Sequence, residues 1–325
     1  MSLIGVDLGG TKCAAALYDD GVLGEPLTVA TDTSSSGALV DQLVDTIGRL
    51  RGPHVEAIGV GIPSVVEFAT GMARSGVNVP LEGVPLRTLL RERLKAPVYV
   101  DNDATCAALA EAHEDGRLVS LNLVMITVGT GVGGGIVLGG NVYRGATGAA
   151  GELGHTLIGA NLSEGAPPAG DFPQRGSLEQ LAAGRELDRL AQQTAHEHPD
   201  SALGRRAAEG TDVLGRDAVD AAHAGDEAAI RALRILGERL GIGIANAINT
   251  FDPEVVAIAG GAAAAGELLL APARETARAY VVHGVGEQTE IRLARHADHA
   301  GLLGAALMAG QELAKTVSDS RGGAR

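Results

Sequence analysis

The sequence predicts an α/β protein of two lobes, and three observations carry that prediction. The chain has 325 residues, more than one ordinary core. A pattern of apolar run, glycine turn and second apolar run occurs twice, at Leu3 to Leu17 and at Val124 to Leu138. Between and after the two copies, short β-rich runs alternate with longer runs of helical period.

Taken in order, Leu3 to Leu17 reads as a hairpin whose turn is Gly9-Gly10. Ser34 to Ser36 can cap a helix that puts Leu39, Val40, Leu43, Val44, Ile47 and Leu50 on one face. Val55 to Ile62 is a strand ended by Pro63, Val98 to Val100 is a second, and Ala104 to Glu114 is helical. After the second glycine hairpin, 161–176 is loop, rich in Gly, Pro and polar residues. Helical patterns follow at Leu178 to Ala195 and Ala228 to Asn249, then a β run at Val255 to Ala259 before Gly260-Gly261. A closing helix spans Gly301 to Lys315. The expected division is a small lobe at 1–115 with the helix at 300–316 packing back on it, a large lobe at 116–299, and a disordered tail at 317–325.

Composition excludes several classes. Aromatics are 2% of the chain, there is no Trp, and the formal net charge is −14, so base stacking and attraction to nucleic acid or anionic lipid are not expected. Cys13 and Cys106 make no CxxC pair and sit in apolar or Ala-rich surroundings, as thiols of a reducing compartment do. The N-terminus carries no basic region and meets Asp7 early, which does not suit a signal peptide, and no apolar stretch is long enough to span a bilayer. A cytoplasmic protein is expected.

Spacing separates three phosphate-binding readings. Gly5 to Lys12 nearly matches a P-loop, but that loop needs Lys before Ser/Thr and here Thr11 precedes Lys12. Gly129-x-Gly131-x-x-Gly134 matches the dinucleotide string, but the residues that follow, Gly135-Ile-Val-Leu, disfavour the required helix. Two glycine hairpins gripping one phosphate chain is the remaining reading, because backbone N–H groups supply donors and missing Cβ atoms allow close approach.

The ordered set Asp7-Leu-Gly-Gly-Thr-Lys12, Gly59-Val-Gly-Ile-Pro63, Val77-Asn78-Val-Pro-Leu-Glu-Gly, Asp101-Asn102-Asp103, Gly129-Thr-Gly-Val-Gly-Gly-Gly135, Gly151-Glu152-Leu-Gly-His155 and Ala259-Gly-Gly261 resembles the ROK family, above all its bacterial glucokinases. The resemblance covers nearly the whole chain. It implies the actin-like (ribonuclease H-like) ATPase fold, with lobe closure excluding water, and ATP-dependent phosphorylation of a primary hydroxyl of a hexose.

The resemblance also implies site residues. Asp103 is the general base, although by itself an Asp there reads as a helix cap. Asn78, Asn102, Glu152, His155 and Glu179 line the sugar together with Asp103. Asp7, Gly9, Gly10, Thr11, Lys12, Thr130, Gly131, Gly133, Gly260 and Gly261 serve ATP, with Asp7 organising Mg²⁺ through water. Homodimers or homotetramers are expected. Alternative acceptors are an aminosugar, an N-acyl hexosamine or a cyclitol, and a non-catalytic sugar-binding protein is a further alternative. A repressor of the family would carry a helix-turn-helix before the first glycine motif, and Asp7 leaves no room for one.

The chain departs from the family pattern at three places. Val77 stands where Pro is usual and Ser64 where Gly is usual after the proline, both of which bear on the acceptor. The third is the cysteine-rich zinc segment after the motif histidine. It is replaced by Asp171-Phe-Pro-Gln-Arg-Gly-Ser-Leu-Glu179, which keeps the Glu and no Cys, so no zinc is expected.

Overall fold

The computed structural model describes residues 1–76, 78–296 and 299–322. Val77, whose departure from Pro is noted above, lies outside them. The strands and helices run β1 (Ser2–Leu8), β2 (Lys12–Asp19), β3 (Val22–Leu23), β4 (Leu27–Ala30), α1 (Ser36–Leu50), β5 (Val55–Ile62), β6 (Val66–Glu67), β7 (Met72–Ala73), α2 (Leu86–Leu94), β8 (Val98–Asn102), α3 (Asp103–Glu111), β9 (His113–Glu114) and β10 (Arg117–Leu118). They continue with β11 (Leu123–Val128), β12 (Val132–Leu138), β13 (Asn141–Val142), α4 (Leu178–Ala182), α5 (Gly184–Glu197), α6 (Ala202–Ala208), α7 (Gly215–His223), α8 (Glu227–Phe251), β14 (Val255–Ala259), α9 (Glu267–Tyr280), β15 (Glu290–Leu293) and α10 (Ala300–Gly322).

Two compact units result. One holds residues 1–123, 135–151 and 295–325, the other 124–134 and 152–294. The first boundary falls after Leu123, and residues 135–151 belong to the first unit, as does the closing helix, which runs to Gly322; residues 323–325 lie outside the described residues.

The first unit is built on a sheet of order β3-β2-β1-β5-β8, with β4 paired to β2. β1 pairs antiparallel with β2 and parallel with β5, and β5 pairs parallel with β8. Strand alternation assigns the two faces. Ile4, Val6 and Leu8 of β1 join Ile58, Val60 and Ile62 of β5 in one core with Leu39, Leu43 and Ile47 of α1 and Leu86 and Leu90 of α2. Leu3, Gly5 and Asp7 point to the opposite face, where Leu3 and Ala57 pack with Ala306 and Ala309 of α10.

Glycines on that face let α10 lie directly on the backbone. A Cβ at Gly5 would be 2.0 Å from the Leu302 carbonyl oxygen, and one at Gly59 1.8 Å from that of Ala305. On the far side of α10, a Cβ at Gly304 would sit 1.7 Å from the Cys106 carbonyl oxygen of α3. No side chain fits at these approaches.

The second unit packs α4, α5 and α7–α9 into a core with Val124, Ile126 and Val128 of β11 and Val256 and Ile258 of β14. β11 and β14 belong to a sheet of order β13-β12-β11-β14-β15. The predicted single helix from Leu178 to Ala195 is two: Ala183 is extended (φ −73°, ψ 168°), and α5 restarts at Gly184, whose N–H donates to the Gly129 carbonyl at 2.7 Å. A tertiary hydrogen bond overrides a continuous helical period there. The helix expected at Ala104 to Glu114 starts one residue earlier and stops at Glu111, before the β9–β10 ribbon.

Candidate active site

In the first unit, β1 delivers Asp7 and the turn Gly9-Gly10-Thr11 leads into Lys12 of β2. The turn is closed by the Gly9 N–H donating to the Lys12 carbonyl at 2.9 Å, and Thr31 Oγ1 donates to the Gly9 carbonyl at 2.7 Å. Asp7 faces α10, and a Cβ at Gly301 would be 2.5 Å from its carboxylate, so only glycine fits at the helix start. Burial raises the Asp7 pKa, with the Lys12 charge opposing, and among the described residues its oxygens accept no hydrogen bond. Gly10 backs onto Asn78, where a Cβ would meet the Asn78 Cβ at 3.0 Å. The turn and the Asn78 loop are therefore in contact.

The end of β8 places Asn102 and Asp103. The helix cap is Asn102, whose Oδ1 accepts the Thr105 N–H at 3.0 Å, so the capping role that an Asp there suggests falls one residue earlier. Asp103 Oδ1 accepts the Ala104 N–H at 2.8 Å and Asn102 Nδ2 at 3.1 Å. Burial, with the Asp7 charge adding, pushes the Asp103 pKa up to about 6.

Behind this pair, Asp101 is held by partners that the sequence motif does not name. Asp101, buried, accepts the Asn102 N–H at 2.9 Å on one oxygen and Arg144 Nε at 2.6 Å on the other. Arg144 also donates to Glu312 of α10 at 3.2 Å and stacks over Phe68 with its guanidinium carbon 3.5 Å from the ring centroid. Ser64, the departure from glycine, is buried with its hydroxyl donating to the Ser75 carbonyl at 2.7 Å, and its own carbonyl accepts Asn102 Nδ2 at 3.4 Å.

In the second unit, the loop Gly129-Thr130-Gly131 joins β11 to β12, which carries Gly133. Glu179 Oε2 accepts the Val132 N–H at 2.8 Å, and a Cβ at Gly131 would lie 2.5 Å from the same oxygen. Glu179 thus braces the glycine loop. Glu152 and His155 share one 3₁₀ turn, with Oε2 and Nε2 3.7 Å apart. Among the described residues the His155 Nδ1 is buried without a partner, and the ring meets Phe172 edge-on at 5.1 Å between centroids.

Gly260 is required by its backbone (φ +88°) and by Val128, whose carbonyl oxygen a Cβ would approach to 2.4 Å, whereas Gly261 has open space beside it. That space is a cavity of about 560 Å³ lined by Thr130, Gly261 and the first turns of α5 and α7. Those turns contribute Gly184 and Arg185, and Gly215 and Arg216, none of which the sequence reading singled out. The available signal was a Gly-Arg pair opening two helices, which suits an anionic or polar ligand at helix N-termini.

Among the described residues no helix is long and apolar enough to cross a membrane, and no group of three or more His, Cys, Asp or Glu gathers to hold a metal ion.

Comparison with known proteins gives a match of residues 3–312 to the model of the ROK family. A glucokinase of Halalkalibacterium halodurans is 34% identical over 317 residues, 95% of each chain. The ROK family glucokinase of Streptomyces griseus, solved in complex with glucose and AMPPNP, superposes with a TM-score of 0.76 at 32% identity, covering 96% of this chain and 100% of that one. A ROK hexokinase from Thermus thermophilus gives a TM-score of 0.76 at 35% identity, with 97% and 100% covered.

Proposed function

Since the chain belongs to the ROK family, we propose that it is an ATP-dependent hexose kinase, with glucose as the default acceptor and the 6-hydroxyl as the site of phosphorylation. The observation that carries this reading is Asp103, a carboxylate at the start of α3 whose pKa of about 6 leaves it ionised at neutral pH yet basic enough to take a proton. The glucokinase and hexokinase relatives support the same choice of substrate class.

In the reaction the O6–H proton passes to Asp103 and the O6–P bond forms. The bond between the γ-phosphorus and its bridging oxygen breaks, and ADP leaves. Asn102 holds Asp103 through its Nδ2, so the carboxylate keeps one orientation while Oδ2 is left to meet the hydroxyl. Asn78 from the first unit, and Glu152 and His155 from the second, have the donors and acceptors that ring hydroxyls require. Glu179 acts on the sugar through its free Oε1 or indirectly through the loop that its Oε2 braces.

For the nucleotide, the second unit's cavity takes the adenosine end beside Gly261, with Arg185, Arg216 and Thr130 in its lining, and Gly131 and Gly133, which follow Thr130 in the chain, serve the phosphates. In the first unit, Gly9, Gly10, Thr11 and Lys12 supply N–H, hydroxyl and ammonium donors. The buried Asp7 carboxylate, lacking a protein donor among the described residues, fits a divalent cation held through water; bound there, Mg²⁺ neutralises phosphate charge. No structural zinc is expected, since the segment 171–179 carries no Cys and His155 alone cannot hold the ion.

A coupled ADP-release screen over hexoses, aminosugars, N-acyl hexosamines and cyclitols, with ATP and Mg²⁺, tests the proposal. Glucose should give the highest kcat/KM. Preference for another class would reassign the acceptor, and absence of sugar-dependent ADP release with retained sugar binding would make the protein a sugar-binding member only. The closed hydrogen bond of Ser64 argues for the ordinary acceptor, because its hydroxyl is spent on Ser75.

A further inference from the structure

A second cavity, of about 280 Å³, lies within the first unit, where β8 approaches the last turns of α10. Phe68, Arg87, Arg91, Tyr99, Glu312 and Thr316 line it. Its charge balance is unusual for a chain of net charge −14. Arg87 and Arg91 lie one helical turn apart on α2, close enough that the Arg91 charge, after burial, lowers the Arg87 pKa. Among the described residues neither forms an ion pair with a carboxylate. Arg87 is held by the Phe68 carbonyl at 2.8 Å and by that of Ala69, which fix its position without neutralising it. The one carboxylate in the lining, Glu312, is shared by Arg144 at 3.2 Å and Lys315 at 3.0 Å, and its charge, with that of Tyr99, only partly opposes the effect of burial and Arg91 on Arg87.

Two adjacent guanidinium groups repel, the half-buried Arg87 more strongly than a fully exposed group would because it is less screened by water. An anion between them removes that cost and gains charge-assisted hydrogen bonds from planar forks suited to phosphate oxygens. The rest of the lining is suited to the remainder of a small organic molecule. The Tyr99 and Thr316 hydroxyls, 3.3 Å apart, can serve hydroxyl groups, and Phe68 lies under the Arg87 guanidinium, whose carbon is 6.0 Å from the ring centroid. We propose that this cavity is a binding site for a phosphate group, free or borne by a small hydroxylated ester, separate from the residues proposed for catalysis and from the 560 Å³ nucleotide cavity. The proposal does not depend on the kinase reading.

The test is calorimetric titration of the full chain with inorganic phosphate and, separately, with glycerol 3-phosphate, both with excess AMPPNP and Mg²⁺ present so that phosphate sites for nucleotide are filled. Wild-type protein should bind at least one of the two saturably, the tighter one identifying free ion or ester. Arg91→Met, an exposed position that should not disturb folding, should weaken binding about tenfold or more, the effect of losing one charge-assisted contact. Arg49→Met, the same charge change on α1 away from the cavity, should bind as wild type. Absence of saturable binding to wild-type protein, or equal behaviour of the two variants, would overturn the proposal.

Discussion

Replacing Asp103 by Asn should separate activity from stability in opposite directions. The amide keeps the Oδ1 acceptor used by the Ala104 N–H and Asn102 Nδ2, so the local structure is retained, but it cannot take a proton. Loss of a general base costs about 10² to 10⁴ in kcat, with sugar affinity little changed. The wild-type pH profile carries the same information. With a pKa of about 6, roughly nine tenths of Asp103 is ionised at pH 7 and roughly one tenth at pH 5, so kcat/KM should fall about tenfold between them on the acid side. The stability consequence has the opposite sign. A carboxylate raised from the ordinary 3.8 favours its neutral form in the fold, so its contribution is present in full below pH 4 and lost as pH rises through 6. By pH 8 the cost reaches up to about 3 kcal/mol. Asp103→Asn should therefore unfold at higher denaturant than wild type at pH 8 and lose that advantage at pH 4. A kcat within tenfold of wild type, or a flat kcat/KM from pH 5 to 7, would refute the assignment.

Gly131→Val should weaken ATP binding about tenfold or more while leaving sugar binding measurable, since the new Cβ would collide with the Glu179 carboxylate that braces the loop; unchanged nucleotide affinity by titration would contradict this. Gly304→Ala should cost about 3 kcal/mol or more in chemical denaturation, because a backbone carbonyl stands 1.7 Å from the new methyl. Gly310→Ala, which meets the flexible end of Met1 at 2.9 Å, should cost far less, and equal losses would show that the α10 seam is not rigid. Treatment with a zinc chelator, followed by resupply of Mg²⁺, should leave activity and melting temperature unchanged, and metal analysis finding stoichiometric, tightly bound zinc would refute the reading of 171–179 as a segment without zinc ligands.

Much of this arrangement was legible in the chain. The alternation Leu3, Gly5, Asp7 against Ile4, Val6, Leu8 is a strand signal, and both glycine hairpins and the strands at 55–62 and 255–259 follow from local pattern. What escaped was set by partners distant in sequence. Nothing local says that Ala183 leaves the helix, because the cause is the Gly129 carbonyl. Nothing local pairs Asp101 with Arg144 and Glu312, 43 and 168 residues away from Arg144. The Asn-Asp motif is legible in the sequence, but the capping duty falls to Asn102, whose Oδ1 accepts the Thr105 N–H, and not to the Asp that local pattern suggests. Glu179 was legible as a surviving motif residue but not as a brace, which depends on how close Gly131 allows it to come.

The glycine seam that seats α10 on β1 and β5 has a consequence for the order in which the protein is made. β1 to β8 leave the ribosome well before the helix that covers one face of their sheet, which follows the whole second unit in the chain. At elongation speeds of about 5–20 residues per second, the nascent sheet waits roughly 10 to 40 s between Asn102 and Ala300 with Leu3 and Ala57 uncovered and a groove of bare backbone at Gly5 and Gly59. During that interval the intervening unit can complete its own core, and the arrival of α10 then closes the first. Arrival of α10 is therefore the step that locks Asp7 against Gly301, so a chain cut short before α10 would lack both the cover of its first sheet and the wall beside its buried carboxylate.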